Sequence, residues 1–130
     1  MAMKRLLVVT AAVEIAAAVA LLGVPSVASA LLLGAPLETR MAFILARFGG
    51  AALLTIGIAC WVARADAHSL AATGLVGAMT FYNVAVVVVF AYAGIALGLR
   101  GVVLWPAVTL HLAMAAWCIV RISERQRSAK

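Results

Sequence analysis

Four strongly polar side chains interrupt an otherwise apolar chain: Glu14 in AVEIAA, Arg47 in LARFGG, Asn83 in FYNVAV and His111 in TLHLAM. A carboxyl, a guanidinium, an amide and an imidazole, one in each of four long apolar runs, are the strongly polar groups inside those runs. Each is costly to leave toward hydrocarbon, so all four are expected to face one another. A carboxyl and an imidazole that share a water-poor centre can pass a proton between them, and both respond to nearby charge. Thr10, one turn before Glu14, Thr80, three residues before Asn83, and Tyr82 are the expected supporting groups. Small residues at Ala107 and Ala115, with Cys118, leave room around the imidazole on its own helix face.

Other chemistries fit these residues less well. His111 with Glu14 supplies two ligands, short of the three or four that a zinc or haem iron site requires, so no metal and no cofactor is expected. Serine is missing at the depth a Ser/His/Asp arrangement would need, and no glycine-rich phosphate loop is present. The competing reading is structural. Glu14 and Arg47 would form an ion pair, direct or through one water, while Asn83 and His111 hydrogen-bond helices together. Interhelical polar contacts in membranes average well under 1 kcal/mol, which makes them weak glue, and a buried ion pair carries a desolvation penalty comparable to its attraction.

The elements that must position these groups follow from composition. Of 130 residues, 68% are hydrophobic, and a soluble fold of this size cannot bury so much apolar surface. The runs at 6–24, 41–63, 70–97 and 102–120 are each long enough to cross about 30 Å of hydrocarbon. Short links force neighbouring helices to run antiparallel. The expected fold is therefore all-α: a polytopic membrane four-helix bundle, up-down, forming a single integral membrane domain over residues 1–130.

The stretch VPSVASA at 24–30 ends in the small-x-small pattern that a signal peptidase cleaves after. An export signal usually has an apolar region of about 7–15 residues and no use for a carboxyl at its middle. The first run is longer and carries Glu14, so residues 1–30 are expected to be retained. SVASALLL then reads as a short interfacial helix between spans one and two. Span two is expected to begin at Pro36 or just after it, and Asp66 or Ser69 to cap span three. Trp61 with Arg64, and Trp105 with Pro106, mark interfacial ends. Small residues at Ala12, Ala16 and Ala20, at Ala46 and Gly50, and at Gly94 and Gly98 are spaced for close helix packing.

The formal charge of +6 is not the mark of a nucleic-acid partner, because its distribution follows membrane topology. Lys4, Arg5, Arg64, Arg121, Arg125, Arg127 and Lys130 share one side of a four-span protein, and Arg40 and Arg100 hold the other, seven against two. That bias places both termini and the basic tail 121–130 in the cytoplasm of a bacterial-type inner membrane. Cys60 and Cys118 lie toward that reducing side without a C-x-x-C motif and read as buried thiols.

Four short spans with a membrane-centred glutamate in the first resemble the architecture of small multidrug-resistance exporters, a likeness carried by Glu14 in AVEIAA. In that family the first-helix glutamate binds proton and cationic substrate alternately; its other helix-one and helix-three residues have no counterpart here, and an inward Arg47 would repel cations. The stretch RFGGAALLTIGIACWVAR, residues 47–64, is similar to the second span of DoxX-like four-helix proteins. The whole chain resembles uncharacterised small four-span proteins of bacterial inner membranes. Together these observations lead to an integral membrane protein with a buried polar site at Glu14, Arg47, Asn83 and His111 that binds or translocates a small solute with protonation coupling. The alternatives are an accessory subunit packed in a homo-oligomer or larger membrane complex and, less favoured, a membrane enzyme acting on a lipid or quinone. The bilayer is the partner common to all.

Overall fold

The apolar runs form helices because no other backbone arrangement satisfies its own hydrogen bonds in hydrocarbon within a single segment. The structure, a computed structural model, describes residues 2–128; Lys130, counted above in the basic tail, lies outside them, with Met1 and Ala129. The elements are α1 (Ala2–Gly23), α2 (Pro25–Leu33), α3 (Arg40–Ala63), a 3-10 turn (Arg64–Asp66), α4 (Leu70–Ile95) and α5 (Leu104–Ser128). All but α2 and the 3-10 turn are long and apolar enough to cross a membrane. Their outer faces are apolar as well, with Phe48 74% and Phe81 78% exposed. A protein that turns its phenylalanines outward in this way is solvated by lipid. This is an integral membrane protein, and its fold is the up-down bundle of four spans with a short helix between the first two.

Helix ends are set by local chemistry. Span two starts later than Pro36 suggests: Thr39 caps α3, its hydroxyl accepting from Ala42 N–H at 3.1 Å. A hydroxyl cap satisfies an orphan amide, which proline at the first turn cannot do. Of the two expected caps for α4, Ser69 serves, accepting from Ala72 N–H at 3.0 Å. The 70–97 run stops being helical at Ile95, and Gly98 turns the chain with φ 67°. The basic tail is not a loose extension, since α5 continues through it to Ser128. Arg121 pairs with Glu124 one turn on, at 2.7 Å. Arg125 donates to the carbonyls of His68 (2.6 Å) and Ser69 (3.0 Å), pinning the end of α5 to the start of α4.

The residues of the cleavage-like motif have structural work. Leu37 N–H donates to Ser26 Oγ at 3.2 Å, and Ser29 Oγ donates to the Ala35 carbonyl at 2.8 Å, so α2 organises the link into α3. Gly34 closes α2 with φ 84° and its N–H on the Ala30 carbonyl. The exposed Leu31 carbonyl end is received by the start of α5, where Val103 N–H donates at 3.0 Å. Gly101 makes this approach possible, because a Cβ there would lie 2.2 Å from the Leu32 carbonyl carbon.

α1 packs most closely on α3, and α4 on α5; the bundle closes through looser α3–α4 and α1–α5 seams. The close α1–α3 approach depends on Gly50 and Gly57. A Cβ at Gly57 would meet Ile15 Cγ1 at 2.6 Å, and one at Gly50 would meet the Ala18 carbonyl at 3.2 Å. The packing stripe on α1 is consequently Ala11 and Ala18, both fully buried, whereas Ala12 and Ala16 are exposed. Ala46 is half-buried. At Gly94 the expected close approach exists, against Leu104 and Trp105, while Gly98 serves the turn. The Trp61–Arg64 pair forms at the end of α3, with the guanidinium 3.5 Å from the indole centroid and donating to the Trp61 carbonyl.

Candidate functional site

The polar centre is built from α1, α4 and α5. Among the described residues, Thr10, Glu14, Asn83 and His111 are the buried polar side chains, with Glu14 2% and Asn83 1% exposed. From α4, the Tyr82 hydroxyl donates to Glu14 Oε2 at 3.1 Å, bridging the seam between the two helix pairs. Asn83 Nδ2 donates to the Met79 carbonyl of its own helix at 2.7 Å, which leaves Oδ1 facing His111 Nδ1 at 2.8 Å. An amide oxygen only accepts, so Nδ1 carries the hydrogen, and in the neutral imidazole Nε2 keeps its lone pair. The Asn83 amide thereby fixes both the tautomer and the orientation of the imidazole.

Aromatic edges complete the centre. Tyr82 meets the His111 ring at 5.9 Å between centroids and 79° between planes, and Phe90 meets it at 6.3 Å and 81°. Tyr82 therefore touches both titratable groups, its hydroxyl on Glu14 and its ring on His111. Two turns beyond His111 along α5 lies Cys118, and Cys60 of α3 is within electrostatic range of it and of Glu14; both thiols are fully buried. Thr10 Oγ1, the second Glu14 oxygen and His111 Nε2 have no hydrogen-bond partner among the described residues. None of the three is sealed in, since the one fully enclosed side-chain polar atom without a partner there is Arg121 Nε.

The four sequence-selected residues are not one cluster. Glu14 is joined to Tyr82 and Asn83 to His111, but Arg47 is exposed, and the ion pair recorded among the described residues is Arg121–Glu124. The expected Glu14–Arg47 pair is not formed. Gly50, Gly57 and Cys60 define the inward face of α3, and Arg47 stands off that face, where its long stem can carry the guanidinium toward the headgroups. Thr80, expected to support Asn83, instead donates to the Val76 carbonyl of its own helix at 2.9 Å. Tyr82, expected only in support, is the direct partner of Glu14. Phe90 joins the centre without a polar group to mark it; its sequence signal is the spacing of seven from Asn83, two turns along one face.

The fold and centre define a class: a four-span membrane protein with a carboxyl and an imidazole held at the middle of its bundle. No protein-family model matches the chain, and neither curated proteins nor solved structures show a significant match to it.

Proposed function

We propose that the protein binds a small cationic solute at Glu14 and translocates it across the membrane in exchange for a proton. The observation that carries this reading is the Glu14–Tyr82 bond in the bundle interior, with no fixed cation beside it among the described residues. Glu14 receives the Tyr82 hydroxyl from α4, Cys60 from α3 lies within electrostatic range of it, and Thr10 lies one turn before it on its own helix. None carries a permanent positive charge, so electroneutrality at this depth is met by a proton or by a cationic guest. With Arg47 outside the core, no described residue there repels a cation, and Tyr82 and Phe90, beside His111, supply the ring faces on which an organic one can rest. His111, fixed by Asn83, is the second proton-exchanging group. The looser seams between the helix pairs are where the bundle can part to admit a solute.

The same charge bias and first-span chemistry support retention of residues 1–30, with 6–24 as the first span, both termini in the cytoplasm, and a bacterial-type inner membrane. A second reading, as a subunit of a homo-oligomer or larger complex, is favoured by Arg47, an exposed charge on the outer face of a span that a neighbouring protein could neutralise. Thermal stabilisation of the purified protein by a panel of small primary to quaternary ammonium ions tests the first reading. Stabilisation by at least one of them, weakened in Glu14→Gln and Tyr82→Phe, is expected; no stabilisation by any, together with stoichiometric co-purification of another membrane protein, favours the second.

A further inference from the structure

At the end of the bundle that carries both termini, the looser α1–α5 seam opens outward as a groove of about 670 Å³ lined by Lys4, Arg5, Val8, Val9 and Trp117. That volume falls within the range of about 300–1,000 Å³ typical of small-molecule sites. The lining divides by depth. Lys4 and Arg5 occupy the first turn of α1, both are exposed, and the lining contains no carboxylate. Val8 and Val9 follow one turn deeper, facing the half-buried indole of Trp117. The groove thus presents two cations at its rim and an apolar wall beneath them.

We infer that this groove binds one anionic phospholipid, its phosphate on Lys4 and Arg5 and an acyl chain along Val8, Val9 and Trp117. Any bilayer lipid can cover the apolar wall. A net negative headgroup is selected because two adjoining cations have no counter-charge in the groove, and basic pockets between spans favour such headgroups. Arg121 cannot substitute for them, since it is engaged with Glu124. The site is separate from the Glu14 centre and does not depend on its function.

Native mass spectrometry of the full chain, with phosphatidylglycerol and phosphatidylcholine of identical acyl chains as probes, tests it. Wild type is expected to retain one phosphatidylglycerol with roughly tenfold preference over phosphatidylcholine. Lys4→Gln/Arg5→Gln is expected to abolish the preference, Trp117→Ala to weaken retention of both lipids, and Arg127→Gln, outside the groove, to leave the pattern unchanged. Millimolar inorganic phosphate is expected not to displace the lipid. Equal retention of the two lipids by wild type, an unchanged preference in the double variant, or displacement by phosphate would each overturn the assignment. The wild-type comparison decides even where a variant does not fold.

Discussion

Among single residues, Arg47 and Glu14 make opposite predictions although both are charged groups within apolar runs. Arg47 is exposed and has no ion-pair partner among the described residues, so Arg47→Gln should change thermal stability by no more than about 0.5 kcal/mol. Had it been half of a buried pair, the loss would be about 3–5 kcal/mol. Glu14 and Tyr82 do interact, and removing either leaves a buried polar group without its partner. Glu14→Gln and Tyr82→Phe should therefore combine non-additively in a double-mutant cycle of thermal unfolding, with a coupling of about 0.6–1.7 kcal/mol. Simple additivity there would mean that the bond does not hold the seam together. Burial of Glu14, Asn83 and His111 was legible in the sequence, because hydrocarbon penalises the alternative. Their partners were not. Choosing Tyr82 over Arg47 as the acceptor's donor depends on helix rotation, which is set by the contacts of Gly50 and Gly57 across α1 and α3.

The helices themselves are held by close approaches that one methyl group can disrupt. Gly57→Ala would place Cβ 2.6 Å from Ile15 Cγ1, and Gly101→Ala would place it 2.2 Å from the Leu32 carbonyl carbon. The first meets a side chain that can shift, and should cost about 1–3 kcal/mol. The second meets backbone that cannot, so Gly101→Ala should destabilise more than Gly57→Ala. Gly77→Ala, with open space at its Cβ, is the control expected to be neutral or slightly stabilising in thermal unfolding. Span number and direction were readable from run length and link length alone. Helix starts were less so: Pro36 and Thr39 both carry start signals, and the structure uses the hydroxyl that can bond Ala42 N–H. Likewise the small residues announced close packing in general, but Ala11 and Ala18 rather than Ala12 and Ala16 face α3, a choice of helix phase that spacing by four cannot distinguish.

Across the whole molecule, the charge bias and the even number of spans place the two termini together, opposite the α2–α3 and α4–α5 links. A single cysteine introduced at Ala35 or Leu97, labelled in intact cells with a membrane-impermeant maleimide, should react from outside, whereas one at Ala65 should not. Ala35, Leu97 and Ala65 are all exposed, and Cys60 and Cys118 are fully buried, so background labelling should be low. The central claim is that the carboxyl at the middle of this bundle exchanges a proton for a cation. Its most direct test is calorimetric binding of an ammonium ion that stabilises the protein, repeated in buffers of different ionisation enthalpy, which counts the protons released per ion bound. Wild type is predicted to release a proton on binding, and Glu14→Gln to bind weakly and release none; a binding heat that is independent of buffer in wild type, or proton release that persists in Glu14→Gln, would contradict it.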